Sequence, residues 1–87
     1  MEARFEHGET TRVLERVIVA PSVGTFRALE HVRDGMRVEA GDTIGEVCGP
    51  GTATPVQSPF TGVLQGVLSH EGERLRRGQP VAWLRVA

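Results

Sequence analysis

The chain carries its own sequence twice, and this constrains its fold more than any single motif. A slide of 38 positions lays Pro21 on Pro59, Gly24 on Gly62, Phe26 on Leu64 and Leu29 on Val67. With one residue removed from the loop that follows, a slide of 37 lays Gly35 on Gly72, Val38 on Leu75, Gly41 on Gly78, Ile44 on Val81 and Val47 on Leu84. Each half reads Pro-x-x-Gly, a strand, a glycine turn, a short apolar step, a second glycine turn and a closing strand. Glycine suits the turns because a positive φ is costly for residues with a Cβ.

The composition makes these repeated segments strands. The chain has 12 Val, 2 Ile and 7 Thr, all stiff at χ1 and favoured on a pleated surface. Eleven Gly and five Pro interrupt the apolar runs at short intervals. That pattern predicts an all-β sandwich or barrel. Strands are expected near 16–20, 24–30, 36–38 and 44–48, then near 54–58, 62–68, 74–76 and 81–86. Neither half can bury a core alone, so halves 17–48 and 55–86 are expected to cover one another. They form one domain over 16–87. Residues 1–15 are a lead, and 1–12 have no counterpart in the repeat, which makes them a frayed segment or an added edge strand. Phe26 and Trp83 are expected to anchor the core, and Phe60, in a turn, to be exposed.

Other counts narrow the function. All ten basic side chains are arginine, so the sequence holds no lysine. Schiff-base chemistry, phosphate-cradling lysines and amide-linked prosthetic groups on a lysine are excluded. A net charge of -1 argues against a nucleic-acid footprint. No apolar run reaches the roughly 20 residues of a membrane span. The start, Met1-Glu2-Ala3-Arg4-Phe5-Glu6, lacks the apolar stretch of a secretory signal. Cys48 is a lone thiol without a neighbouring base and reads as a small packing residue. A single cysteine fits a reducing, cytoplasmic setting. His7, His31 and His70 are scattered without zinc-ligand spacing, although His31 and His70 fall near equivalent loop positions. No acid pair, Ser/His/Asp set or phosphate-binding glycine loop points to catalysis. Asp34 and Asp42 read as turn residues.

The halves resemble the biotinyl/lipoyl attachment domain family. The residues that carry the resemblance are Val19-Ala20-Pro21-Ser22-Val23-Gly24, then Val32-Arg33-Asp34-Gly35-Met36-Arg37-Val38-Glu39-Ala40-Gly41-Asp42-Thr43-Ile44. They continue with Gln57-Ser58-Pro59-Phe60-Thr61-Gly62-Val63 and Glu71-Gly72-Glu73-Arg74-Leu75-Arg76-Arg77-Gly78-Gln79-Pro80-Val81. The family wording is P-x-x-G, then V-x-x-G-x-x-V-x-x-G-D-x-[LI], then S-P-x-x-G. The resemblance implies a flattened barrel of two four-stranded antiparallel sheets related by a pseudo-twofold.

It also implies a hairpin between the halves whose tip presents a lysine for biotin or lipoate. That lysine stands about eleven residues before the glycine of S-P-x-x-G, which here falls at Gly51. The local sequence Cys48-Gly49-Pro50-Gly51-Thr52-Ala53-Thr54-Pro55 contains neither A-M-K-M nor T-D-K-A. No cofactor is therefore expected through lysine. The tip residues Gly49, Pro50, Gly51 and Thr52 are instead a bare turn or a contact surface. Arg74, Arg76 and Arg77 form the one local basic run, either a solvated turn or a docking patch for an acidic partner.

The expected function is a non-catalytic binding module without a swinging arm. By the resemblance, its partners are protein subunits of a biotin-dependent acyl-CoA carboxylase, with 2-oxo-acid dehydrogenase components as the second choice. The sequence runs out at Ala87 directly after the last expected strand, without the Ala/Pro-rich tether of a mobile carrier, so non-covalent association is the expected mode. The alternatives are a biotin carboxyl carrier-type component of the carboxylase and a structural barrel of adaptor type.

Overall fold

The computed structural model describes residues 14–86 in full and, before them, the backbone of two short strands. Those two, β1 (Glu2–Arg4) and β2 (Thr10–Arg12), pair with each other as a separate two-stranded sheet and not as an edge added to the barrel. The rest is built from β3 (Glu15–Val19), β4 (Gly24–Ala28), β5 (Arg37–Val38), β6 (Thr43–Gly49), β7 (Thr52–Gln57), β8 (Gly62–Val67), β9 (Arg74–Leu75) and β10 (Pro80–Arg85). Each strand lies within about two residues of its sequence expectation.

Two four-stranded antiparallel sheets result, β3-β10-β8-β5 and β7-β6-β4-β9. Each sheet takes two strands from each half. The halves interlock rather than stack, which is why neither could fold alone.

The repeat in the sequence is a repeat in hydrogen bonding. Gly35 N–H donates to Leu64 O at 2.7 Å, and Gly72 N–H donates to Phe26 O at 2.9 Å. Gly41 N–H donates to Ser58 O at 2.7 Å, and Gly78 N–H to Ala20 O at 2.8 Å. The four turn glycines have matching backbones, with φ of 87° and 83° at Gly35 and Gly72, and 95° and 85° at Gly41 and Gly78.

The core obeys the same symmetry. Its buried positions pair as Ile18 with Val56, Ala20 with Ser58, Phe26 with Leu64, Val38 with Leu75, Ile44 with Val81 and Val47 with Leu84. Buried Ala82 matches buried Gly45. Ser58 is the polar member of this set. It avoids the cost of burial because its hydroxyl donates to Phe60 O at 2.7 Å and accepts from Phe60 N–H at 3.1 Å.

Four expectations need correction. Leu29 does not match Val67. A register shift between Trp83 and Leu84 leaves Gln65 as an extra residue in β8, so Ala28 matches Val67. Leu29 then matches Leu68, both donating to equivalent carbonyls, Ile44 O and Val81 O. A bulge residue gained in β8 and two residues lost from the following loop together give the observed slide.

Trp83 is not a core anchor beside Phe26. Ala82 and Leu84 point inward, so strand alternation turns Trp83 outward, where it is only half-buried. It lies over Gly66, whose absent Cβ would come 3.1 Å from Trp83 Nε1. Phe60 is not exposed either. It packs partly buried against the core, with the Arg16 guanidinium 5.9 Å from its ring centroid. Finally, His70 corresponds to Arg33 and not to His31: Glu73 N–H bonds His70 O as Met36 N–H bonds Arg33 O. His7 lies outside the described residues.

Candidate functional site

The tip between the halves is the turn of the β6–β7 hairpin. Gly49 faces Thr52 in register, which leaves Pro50 and Gly51 as a two-residue turn. Proline holds φ near -65° at the first position, and Gly51 has a φ of 68° at the second. That is the combination a type II turn requires. Gly51 is exposed, and a Cβ there would meet nothing within 4 Å. The hairpin thus ends in a tight turn with free space around Gly51.

Behind the tip, the outer face of this sheet is polar. Arg27 Nη2 and Glu46 Oε1 form an ion pair at 2.8 Å across β4 and β6. The hydrogen bond to Glu46 and its negative charge push the Arg27 pKa further up. Cys48 sits half-buried beside Thr25 and Ala53. Among the described residues no three His, Cys, Asp or Glu side chains gather into a metal-binding group.

The sheet brings the tip and the arginine run to one end, although they are distant in sequence. Gly24 is held between β6 and β9: Leu75 pairs with it, and its absent Cβ would stand 2.5 Å from Cys48 O. From there β6 continues into Gly49 and Pro50, and β9 continues in the same direction into Arg76 and Arg77. Gly78 N–H and Gln79 O bind the backbone of Ala20, which clamps this turn against residues 20–24. The three segments at this end are therefore the tip, the loop 21–23 with Val23 57% exposed, and the turn 76–79. Arg74 stands apart, one step back on the sheet face opposite Thr25.

At the opposite end, β3 begins and β10 finishes. Val86 N–H donates to Leu14 O at 2.7 Å, and Arg85 and Glu15 pair at 3.7 Å. A hollow of about 330 Å³ opens on that sheet, lined by Arg37, Gly62, Val63, Gln65, Arg85 and Val86.

A family model described as "Biotin-requiring enzyme" matches residues 16–84, all but the outermost residues of the two-sheet unit. This chain belongs to the biotinyl/lipoyl attachment domain family. No curated protein matches the sequence. Among solved structures, this biotinyl/lipoyl domain is similar to a single-chain, multi-domain long-chain acyl-CoA carboxylase, with a TM-score of 0.75 and 18% identity over 85% of the chain. It is also similar to the urea carboxylase of Kluyveromyces lactis, with a TM-score of 0.74 and 22% identity over 94% of the chain. The chain spans 7% of the length of each of these structures. At such identities the likeness establishes the shared fold. Among the described residues of the domain, no helix is long and apolar enough to cross a membrane.

In the sequence the tip and the arginine run stand apart, and neither Val23 nor Ser58 stands out from its motif. The Pro-x-x-Gly signature places residues 22 and 23 in a loop, but only the sheet order shows which loops are neighbours. Ser58 was visible as the serine of S-P-x-x-G, and its buried hydrogen bonds to Phe60 supply the physical reason for it.

Proposed function

We propose that this biotinyl/lipoyl domain acts as a non-catalytic binding module that carries no swinging arm and associates with subunits of a biotin-dependent acyl-CoA carboxylase. The observation that supports this is the hairpin tip. Where the family resemblance puts the modified lysine stands Gly51, at a turn position with φ of 68°, in a sequence with no lysine. Arginine cannot substitute, because its guanidinium stays protonated and is no comparable nucleophile for amide formation. The barrel core is intact on both sides of the repeat, so what is retained is a rigid surface. The carboxylase partner class rests on the two carboxylases that share the fold. A cytoplasmic setting accords with it.

The test is co-expression with biotin and lipoate ligases, followed by intact mass. An unmodified mass is expected, and an added biotinyl or lipoyl mass would refute the reading. Capture of purified carboxylase subunits on the immobilised protein is the second arm. Failure to retain any of them would remove the carboxylase assignment.

A further inference from the structure

The internal repeat supplies its own control for the tip end. The turn 76–79 has a structural duplicate in 39–42. Arg76 N–H donates to Gln79 Oε1 at 3.0 Å, as Glu39 N–H donates to Asp42 Oδ2 at 2.9 Å. Both turns close on a glycine whose N–H donates to the residue just after the first strand of the other half, Ala20 for Gly78 and Ser58 for Gly41. One reads Arg-Arg-Gly-Gln and the other Glu-Ala-Gly-Asp. The same backbone is built with opposite charge, so the fold does not require Arg76 or Arg77.

Val23 is likewise dispensable to the fold. Its counterpart is Thr61, whose Oγ1 accepts a hydrogen bond from Ala40 N–H at 3.0 Å. Val23 instead presents an apolar side chain to solvent, in the loop that follows Ala20, to which the turn 76–79 is bound. The nearby acid, Glu73, is engaged within its own segment: Oε1 accepts from His70 N–H at 2.9 Å and Oε2 from Gln79 Nε2 at 3.1 Å. Among the described residues, Arg76 and Arg77 enter no ion pair.

We infer that Arg76, Arg77, Val23 and the tip residues Gly49, Pro50, Gly51 and Thr52 form one docking surface for a protein partner that presents carboxylates around an apolar side chain. Charge complementarity selects the partner. Arginine forks match carboxylates in two-point geometry, and Val23 offers the apolar contact between them. The rigid Pro50-Gly51 turn limits the ordering cost on this side of the contact. The inference rests on the binding-module reading and names the surface that module uses.

The experiment titrates isotope-labelled protein with a synthetic peptide bearing a leucine flanked by glutamates, followed by amide NMR. Amide signals of residues 22–24, of Gly49, Gly51 and Thr52, and of residues 76–78 should move, less so as salt is added. R76E/R77E should weaken binding about tenfold or more, with an unchanged melting temperature. V23T, which copies the other half, should weaken it while the fold is kept. A peptide with lysines in place of the glutamates should bind R76E/R77E. Absence of shifts, shifts centred on Glu39 and Asp42, or full affinity in R76E/R77E would each overturn the inference. Equal affinity for inorganic phosphate or a thymidine oligonucleotide would also overturn it, by marking a general anion site. The intact-mass test bears on the missing arm alone, so the two readings fail separately.

Discussion

Phe26 lies across Gly45: a Cβ on Gly45 would stand 2.7 Å from Cε1 of the ring and 2.9 Å from Arg27 O. The repeat solves the same packing problem a second way, with Leu64 in place of Phe26 and Ala82 in place of Gly45. A large side chain facing no side chain in one half becomes a smaller one facing a methyl in the other. Gly45→Ala should therefore destabilise by about 1–3 kcal/mol through overpacking. Adding Phe26→Leu copies the other half and should recover the part of that loss that comes from the ring, while the close approach to Arg27 O remains. A double-mutant cycle from urea unfolding checks it, with a coupling of about 0.5–3 kcal/mol expected. Simple additivity would show that the two sites do not share one space.

The paired core positions should respond alike. Ile44 is 2% exposed and Val81 is fully buried. Ile44→Ala should cost about 2–5 kcal/mol. Val81→Ala removes less side chain and should cost somewhat less. Thermal melts of both variants decide this. A change at the level of noise for either would mean that its half of the core is not packed as described.

Ser58→Ala leaves Phe60 N–H without its acceptor in a part-buried loop. A loss of about 1–2 kcal/mol is expected. The Phe60 ring should also lose its fixed position, which the ring proton shifts in NMR would report. Full stability in this variant would show that water replaces the hydroxyl at no cost.

Gly51→Lys places the family's amine at the tip. Space is available, but φ of 68° penalises a side chain there, by about 1 kcal/mol. The fold should survive with a slightly lower melting temperature. Intact mass after co-expression with biotin ligase then reports on the surroundings. Recovered biotinylation is the expected result if the ligase-facing surface persists, whereas its absence would show that residues 48–54 have diverged as a whole.

The fold was legible because the repeat fixes strand spacing, turn positions and matched core residues all at once. Pro21 and Pro59, the turn glycines and the apolar steps at Val38 and Leu75 each identify their partner by position alone. Trp83 and Leu29 were misjudged for a related reason. One extra residue, Gln65, shifts register within β8, and a bulge has no reliable signature in a run such as Val63-Leu64-Gln65-Gly66-Val67. Alternation along β10, not hydrophobicity, decides that Leu84 is buried and Trp83 faces out.

By itself, the sequence determined the all-β class, the two halves, and the absence of any lysine to carry an amide-linked group, because these depend on residue identity and local spacing. Only the tertiary structure decided which loops meet. Leu75 and Cys48 both flank Gly24 because β4 is the central partner of β6 and β9. That sheet order carries Gly49 and Arg76 past the same edge, although 27 positions separate them in the chain. Strand order follows from how two interlocked sheets bury a common core, a non-local condition that the turn and strand signals of one segment do not encode.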